Sequence, residues 1–130
     1  VGASGAGRSL YRLQLQVATA AAPPTASMVS QELIEGVQDM QIFYGEDTNG
    51  DRIVDQYVDA NAVADWANVL SVRVNLLLVS LENNLANAAQ TILFPADTGG
   101  AGTVGNSFAA GDRRIYQTFT TTIGIRNRLP

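Results

Sequence analysis

Between Glu46 and Asp55 the chain sets oxygen-bearing side chains at Asp47, Asn49, Asp51 and Asp55, with Ile53 between the last two. Calcium is a hard cation that needs several oxygens converging from one tight turn, and acids at every second position can supply them. Counted from Asp47, these residues fall at positions one, three and five of a calcium loop. The Ile53 carbonyl would serve at seven and Asp55 at nine. The pattern departs at two places: Arg52 stands at six, where glycine makes the sharp turn, and Val58 stands at twelve, where a bidentate Glu closes the shell. A second reading of the same residues is equally open. Asn49-Gly50 between two alternating segments is a signature of a two-residue β-hairpin, and flanking acids would then only solvate an exposed tip. If calcium does bind, the missing twelfth ligand implies weak affinity of the extracellular kind.

Other chemistry finds little to work with. The chain has no His and no Cys, which removes the commonest general base, the commonest zinc ligand, thiol catalysis and disulfides. Every basic residue is Arg, so Ser9 and Ser71 have neither His nor Lys to activate them. Gly5-Ala-Gly7 and Gly99-Gly-Ala-Gly102 lack the lysine and the strand–turn–helix setting of a phosphate loop. Asp55, Asp59 and Asp65 could in principle pair as glycosidase carboxylates, but acids at turns and caps are usually solvated, and no groove is indicated. Trp66 reads as a core anchor. The expectation is a protein without catalytic activity.

At 130 residues, 46% apolar and 15% charged, the chain is one domain's worth of folded polypeptide, spanning 1–130. Its net charge of −4 is unevenly spread. Between Glu32 and Asp65 the only basic residue is Arg52, set against Glu32, Glu35, Asp39, Glu46, Asp47, Asp51, Asp55, Asp59 and Asp65. An acidic centre repels phosphate backbones, so nucleic acid is not an expected partner. No run of about eighteen apolar residues is present. The start at Val1 without a Met reads as a fragment whose N-terminal part is missing.

The elements that must position the acidic turn follow from periodicity. Arg8–Val17 alternates as a half-buried strand, with Tyr11, Leu13, Leu15 and Val17 on one side. Ser30 can cap a short helix carrying Leu33, Ile34 and Val37 inward, weakened by Gly36. Met40–Tyr44 and Ile53–Val58 read as strands flanking the turn, and Asp59 can cap a helical turn over 60–63. Val69–Ser80 puts Leu70, Val72, Val74, Leu76 and Leu78 on one face and ends with Leu77 and Val79 on the other, the mark of a central strand. A brief strand is expected at Thr91–Phe94 and a last one at Ile115–Arg126, with Phe119, Thr121, Ile123 and Ile125 sharing a face. Segments 1–7, 18–29 and 81–111 read as flexible.

The order of motifs carries more than any one of them. Gln31-Glu-Leu-Ile-Glu-Gly-Val-Gln-Asp-Met-Gln-Ile-Phe-Tyr-Gly45 is followed by Asp47-Thr-Asn-Gly-Asp51, Asp65-Trp66 and Val69-Leu-Ser-Val-Arg-Val74. The chain then closes with Asp112-Arg-Arg-Ile-Tyr-Gln-Thr-Phe-Thr-Thr-Thr-Ile-Gly-Ile-Arg-Asn-Arg-Leu129. This series resembles the C-terminal region of PilW-type minor pilins of type IV pili and, more distantly, the J-type minor pseudopilins of type II secretion. The resemblance implies an α+β, pilin-like head: an antiparallel β-sheet with short helices, packed against a long N-terminal helix missing from this chain. It implies a structural subunit acting in initiation and at the tip of a pilus, with other minor pilins, the major pilin and a PilY-type tip protein as partners. Contact with the membrane would come only through the absent helix. The expected location is periplasm and inner membrane before assembly, then the extracellular pilus. The alternatives are a calcium-binding extracellular interaction module or a type II secretion pseudopilin.

Overall fold

The structure is a computed structural model that describes residues 2–4, 7–18, 25–94 and 106–125. The Pro23-Pro24 linker, the glycines at 99–105 and the end of the terminal motif at 126–129 lie outside the described residues.

Pairing begins with three antiparallel strands in the order β1 (Gly2–Ser4), β2 (Gly7–Ala18) and β3 (Thr25–Glu35). A four-stranded antiparallel sheet follows in the order β5-β4-β6-β9, from β4 (Val37–Glu46), β5 (Gln56–Val58), β6 (Val69–Val79) and β9 (Tyr116–Gly124). The remaining strands, β7 (Thr91–Leu93) and β8 (Ser107–Ala109), form a two-stranded ribbon. The brief strand expected at Thr91 is therefore present, and β3 opens inside the stretch 18–29.

The α+β expectation is overturned: among the described residues the regular secondary structure is almost entirely β-strand. Among the described residues the helical content is one 3-10 turn, Trp66–Asn68, capped by Asp65. The segment read as a Ser30-capped helix is the second half of β3. Ser30 lies opposite Leu13, Gln31 opposite Arg12 and Glu32 opposite Tyr11, with a register shift that leaves Leu33 as the extra residue. The physical reason is competition. A short helix containing Gly36 has a weak local preference, whereas β2 offers a full-length ladder of backbone partners that only an extended chain can satisfy. Asp59 makes a turn and no helix; its Oδ1 accepts the amides of Asn61 and Ala62 at 2.8 and 3.1 Å.

Gly36 is the pivot between the two larger sheets. Its φ of +81° lies in the left-handed region, and a Cβ there would stand 2.8 Å from the Val79 carbonyl oxygen. Its amide donates to the Arg8 carbonyl at 3.0 Å, beside β2, and its carbonyl accepts from the Val79 amide at 2.9 Å, on β6.

The register gives the four-stranded sheet two unlike faces. On one, Leu77, Val79 and Tyr116 are buried by Phe94 and Ala110 at the ribbon's ends, with Ile92 and Phe108 packed against them. The Phe108 and Tyr116 rings lie 5.2 Å apart. The other face aligns Met40, Ile42 and Tyr44 of β4 with Leu76, Val74 and Val72 of β6, and then with Phe119 and Ile123 of β9. No described element covers it, and Phe119 and Ile123 remain 53% and 56% exposed. At one end this face deepens into an apolar groove of about 520 Å³ lined by Leu10, Ile34, Val37, Leu76, Leu78 and Phe119.

These two faces should respond differently to truncation. Leu77→Ala removes a fully buried side chain from the covered face and should lower stability by about 2–5 kcal/mol in chemical denaturation of the isolated chain. Ile123→Thr, on the open face, should change it by less than about 0.5 kcal/mol.

Candidate functional site

The acidic turn hangs from the ends of β4 and β5. Glu46 pairs with Gln56, and the Asp55 amide donates to the Glu46 carbonyl at 3.0 Å, so the connection spans residues 47–55. This corrects the two-residue hairpin reading. Asn49 does not take the positive φ such a turn requires; Gly50 does, at +83°, and so does Arg52, at +67°.

What shapes the turn is a ladder of carboxylates and amides accepting backbone N–H groups. Asp47 is buried, with Oδ1 accepting from the Asn49 and Gly50 amides at 3.2 and 2.7 Å and Oδ2 from the Arg52 amide at 2.8 Å. The Asn49 side chain accepts from the Asp51 amide at 2.9 Å, and Asp51 from the Ile53 amide at 2.8 Å. Asp55 closes the loop across its mouth, accepting the Thr48 amide and hydroxyl, each at 2.7 Å, and the Asn49 side-chain amide at 3.3 Å. Local bonds of this kind are what Asp and Asn do best in irregular backbone. The Thr48 hydroxyl first, and then its amide, hold the Asp55 carboxyl below the usual aspartate range.

Beneath the turn sits a residue the sequence did not single out. Glu46 is 1% exposed; its Oε1 accepts the amides of Ala64 and Asp65 at 3.1 and 2.8 Å, and its Oε2 accepts from the Gln56 side chain at 3.2 Å. One buried carboxylate thereby ties the 59–68 connection to the end of β4. The one available signal was spacing: Glu46 continues the period-two series Met40, Ile42, Tyr44, which points an acid along an apolar row.

The sequence-derived ligands Asp47, Asn49, Asp51, Ile53 and Asp55 are thus brought into one turn, but among the described residues no three acidic groups converge as a metal-holding cluster. The glycosidase candidates are likewise engaged with backbone: Asp55 with Thr48, Asp59 with Asn61 and Ala62, Asp65 with Ala67. Ser71 pairs with the Tyr57 hydroxyl at 3.2 Å, and the Tyr57 ring carries the Arg73 guanidinium 3.6 Å above it. Trp66 is no core anchor; it is half exposed and packs edge-on against Tyr44, with ring centroids 4.8 Å apart.

The arrangement is that of an all-β scaffold whose buried acids hold loops in place and whose four-stranded sheet keeps one apolar face open among the described residues. Compared with protein families, residues 1–127 match the model of PilW, type IV pilus-assembly protein W. The chain belongs to the PilW family and is involved in type IV pilus assembly. No curated protein matches it, and no solved structure does.

Two outcomes test the turn. Glu46→Ala strips the acceptor from two backbone amides and the Gln56 side chain, and should lower stability by about 2–4 kcal/mol in denaturant titration. Because the Asp55 carboxyl is depressed in the folded state, its contribution is present above the unfolded-state pKa and lost as pH falls through the folded value. The Thr48 amide resonance should therefore titrate only in acid below the ordinary aspartate range, and Asp55→Asn should abolish that titration.

Proposed function

We propose that this chain is the C-terminal head of a PilW-type minor pilin, a non-enzymatic structural subunit that helps initiate assembly and resides at the tip of a type IV pilus. The observation that supports this reading is the uncovered apolar face running from Ile42 through Val74 to Ile123, with its groove at Leu76 and Phe119. A sheet face of this extent is stable in water when another apolar surface lies on it. On this reading the cover is supplied by neighbouring pilus subunits. Partners on this reading are other minor pilins, the major pilin and a PilY-type tip protein. The subunit waits at the inner membrane and periplasm and ends in the extracellular pilus.

The test is a charge placed on the face away from the sheet edges. Ile42→Asp should leave the melting temperature of the isolated chain within a few degrees, because Ile42 is already partly exposed. In a strain lacking this gene, the same variant should fail to restore surface pili while being made at normal levels. Full piliation by Ile42→Asp would count against the reading.

A second reading is favoured by one observation. Arg52, at the sixth position from Asp47, adopts the left-handed φ of +67° that glycine ordinarily provides in a calcium loop. On this reading Asp47, Asn49, Asp51, Asp55 and the Ile53 carbonyl hold calcium and stiffen the turn. Calorimetry should then show a one-site heat with an affinity on the order of 10⁻⁴–10⁻³ M, absent in Asp51→Ala. No heat at millimolar calcium would leave the turn held by its own hydrogen bonds.

A further inference from the structure

Strand β9 is an open edge. The Ile125 amide donates to the Leu70 carbonyl at 2.8 Å and the Ser80 amide donates to the Ile115 carbonyl at 2.9 Å, so odd-numbered residues turn their backbone toward β6. By antiparallel alternation, even-numbered residues turn theirs outward. The first of these, the Tyr116 amide, is taken by the Gln90 side chain at 2.7 Å. The outward groups of Thr118, Thr120, Thr122 and Gly124 have no strand beside them among the described residues.

Folded proteins protect such edges with charge, proline, bulges or brevity. At the opposite edge of this sheet, β5 is three residues long. The outer strand of the smaller sheet, β3, carries Glu32 and Glu35 and is bulged. By contrast β9 is nine residues long, contains no charged residue and no proline, and pairs with β6 without a register shift. Four threonines with Tyr116, Phe119 and Ile123 give it high strand preference.

We propose that β9 pairs antiparallel with β9 of a second copy of this chain, about a two-fold axis through Thr120. The two four-stranded sheets then become one continuous sheet. In this register Thr118 lies opposite Thr122 of the other copy, and the outward amides and carbonyls of Thr118, Thr120 and Thr122 meet one another. No charge is set against a like charge. Phe119 stands opposite Thr121 of the second copy and diagonal to that copy's Phe119 and Ile123, within reach of an aromatic side chain. The two exposed apolar side chains of β9 are thereby gathered into one cluster on a single face. This self-complementarity selects a second copy as the occupant. The pairing rests on the backbone edge of β9 and not on the pilus reading, although Phe119 and Ile123 lie on the same face as Ile42.

The test is sedimentation of the 130-residue chain over a concentration series up to about 1 mM, with Thr122→Pro and Thr122→Val beside the wild type. Proline deletes an outward amide at a position where an edge strand tolerates it, and valine keeps that amide. Wild type and Thr122→Val should dimerise alike, and Thr122→Pro about tenfold or more weakly. On dimerisation the Thr118, Thr120 and Thr122 amides should become slow to exchange, whereas the Phe119 amide, bonded to β6, should be slow throughout; this readout needs no variant. A wild type that stays monomeric overturns the proposal, whether its edge amides exchange fast or are protected by another part of the chain or held for a different pilus subunit. A Thr122→Pro dimer as tight as wild type also overturns it.

Discussion

The pairing of β6 on both sides is the constraint on which the other elements depend. Val69–Val79 has long neighbours on both edges, β4 and β9, whereas the outer edge of β4 carries only the three-residue β5. Its partners lie far off in the chain, since Leu76 meets Met40 on one side and Phe119 on the other. Closing such contacts costs chain entropy that only an extensive ladder and a buried face can offset. Leu77 and Val79 supply the buried face by meeting the β7–β8 ribbon. Gly36, held to the Val79 amide, then hands the chain from β3 to β4 at a place where a side chain would strike the β6 backbone.

Acidic residues here serve the backbone. In a segment as rich in carboxylates as Glu46 to Asp65, mutual repulsion would loosen a simple turn. Instead Asp47, Asp51, Asp55, Asp59 and Asp65 each accept backbone amides that irregular chain would otherwise leave unpaired. Glu46 does so from inside the protein, where losing the bonds is most damaging. The dense acid pattern is therefore compatible with a structural role even where its spacing imitates a cation site.

The uneven covering of the large sheet links fold to assembly. One face carries its own lid and gives the domain its stability; the other keeps Ile42, Phe119 and Ile123 in solvent. A surface of that kind is tolerable in a subunit that spends its working life packed against others, and a liability in one that does not. Membership of a pilus-assembly family supplies the context in which such a surface is of use.

Period-two patterning by itself determined the long strands other than β3. It located β2, β4, β6 and β9 to within a few residues, because alternation along a half-buried ladder is written directly in side-chain type. The ordered motifs likewise determined the family. What only the tertiary structure decided were the segments whose partners are distant. Ser30–Glu35 has a passable helix start and becomes strand because β2 lies beside it. Trp66 looks like core and sits half in solvent, since its neighbour Tyr44 belongs to the uncovered face. The turn residues were legible as a group, but their geometry was not: Asn49-Gly50 promised a tight hairpin, and a register of Glu46 against Gln56 opened it into a longer loop. Glu46 itself was invisible as an anchor, because the amides of Ala64 and Asp65 reach it only after the chain has folded back from β5. Local pattern fixes which way a side chain points along its own strand; what it meets there depends on closures between residues far apart in the chain.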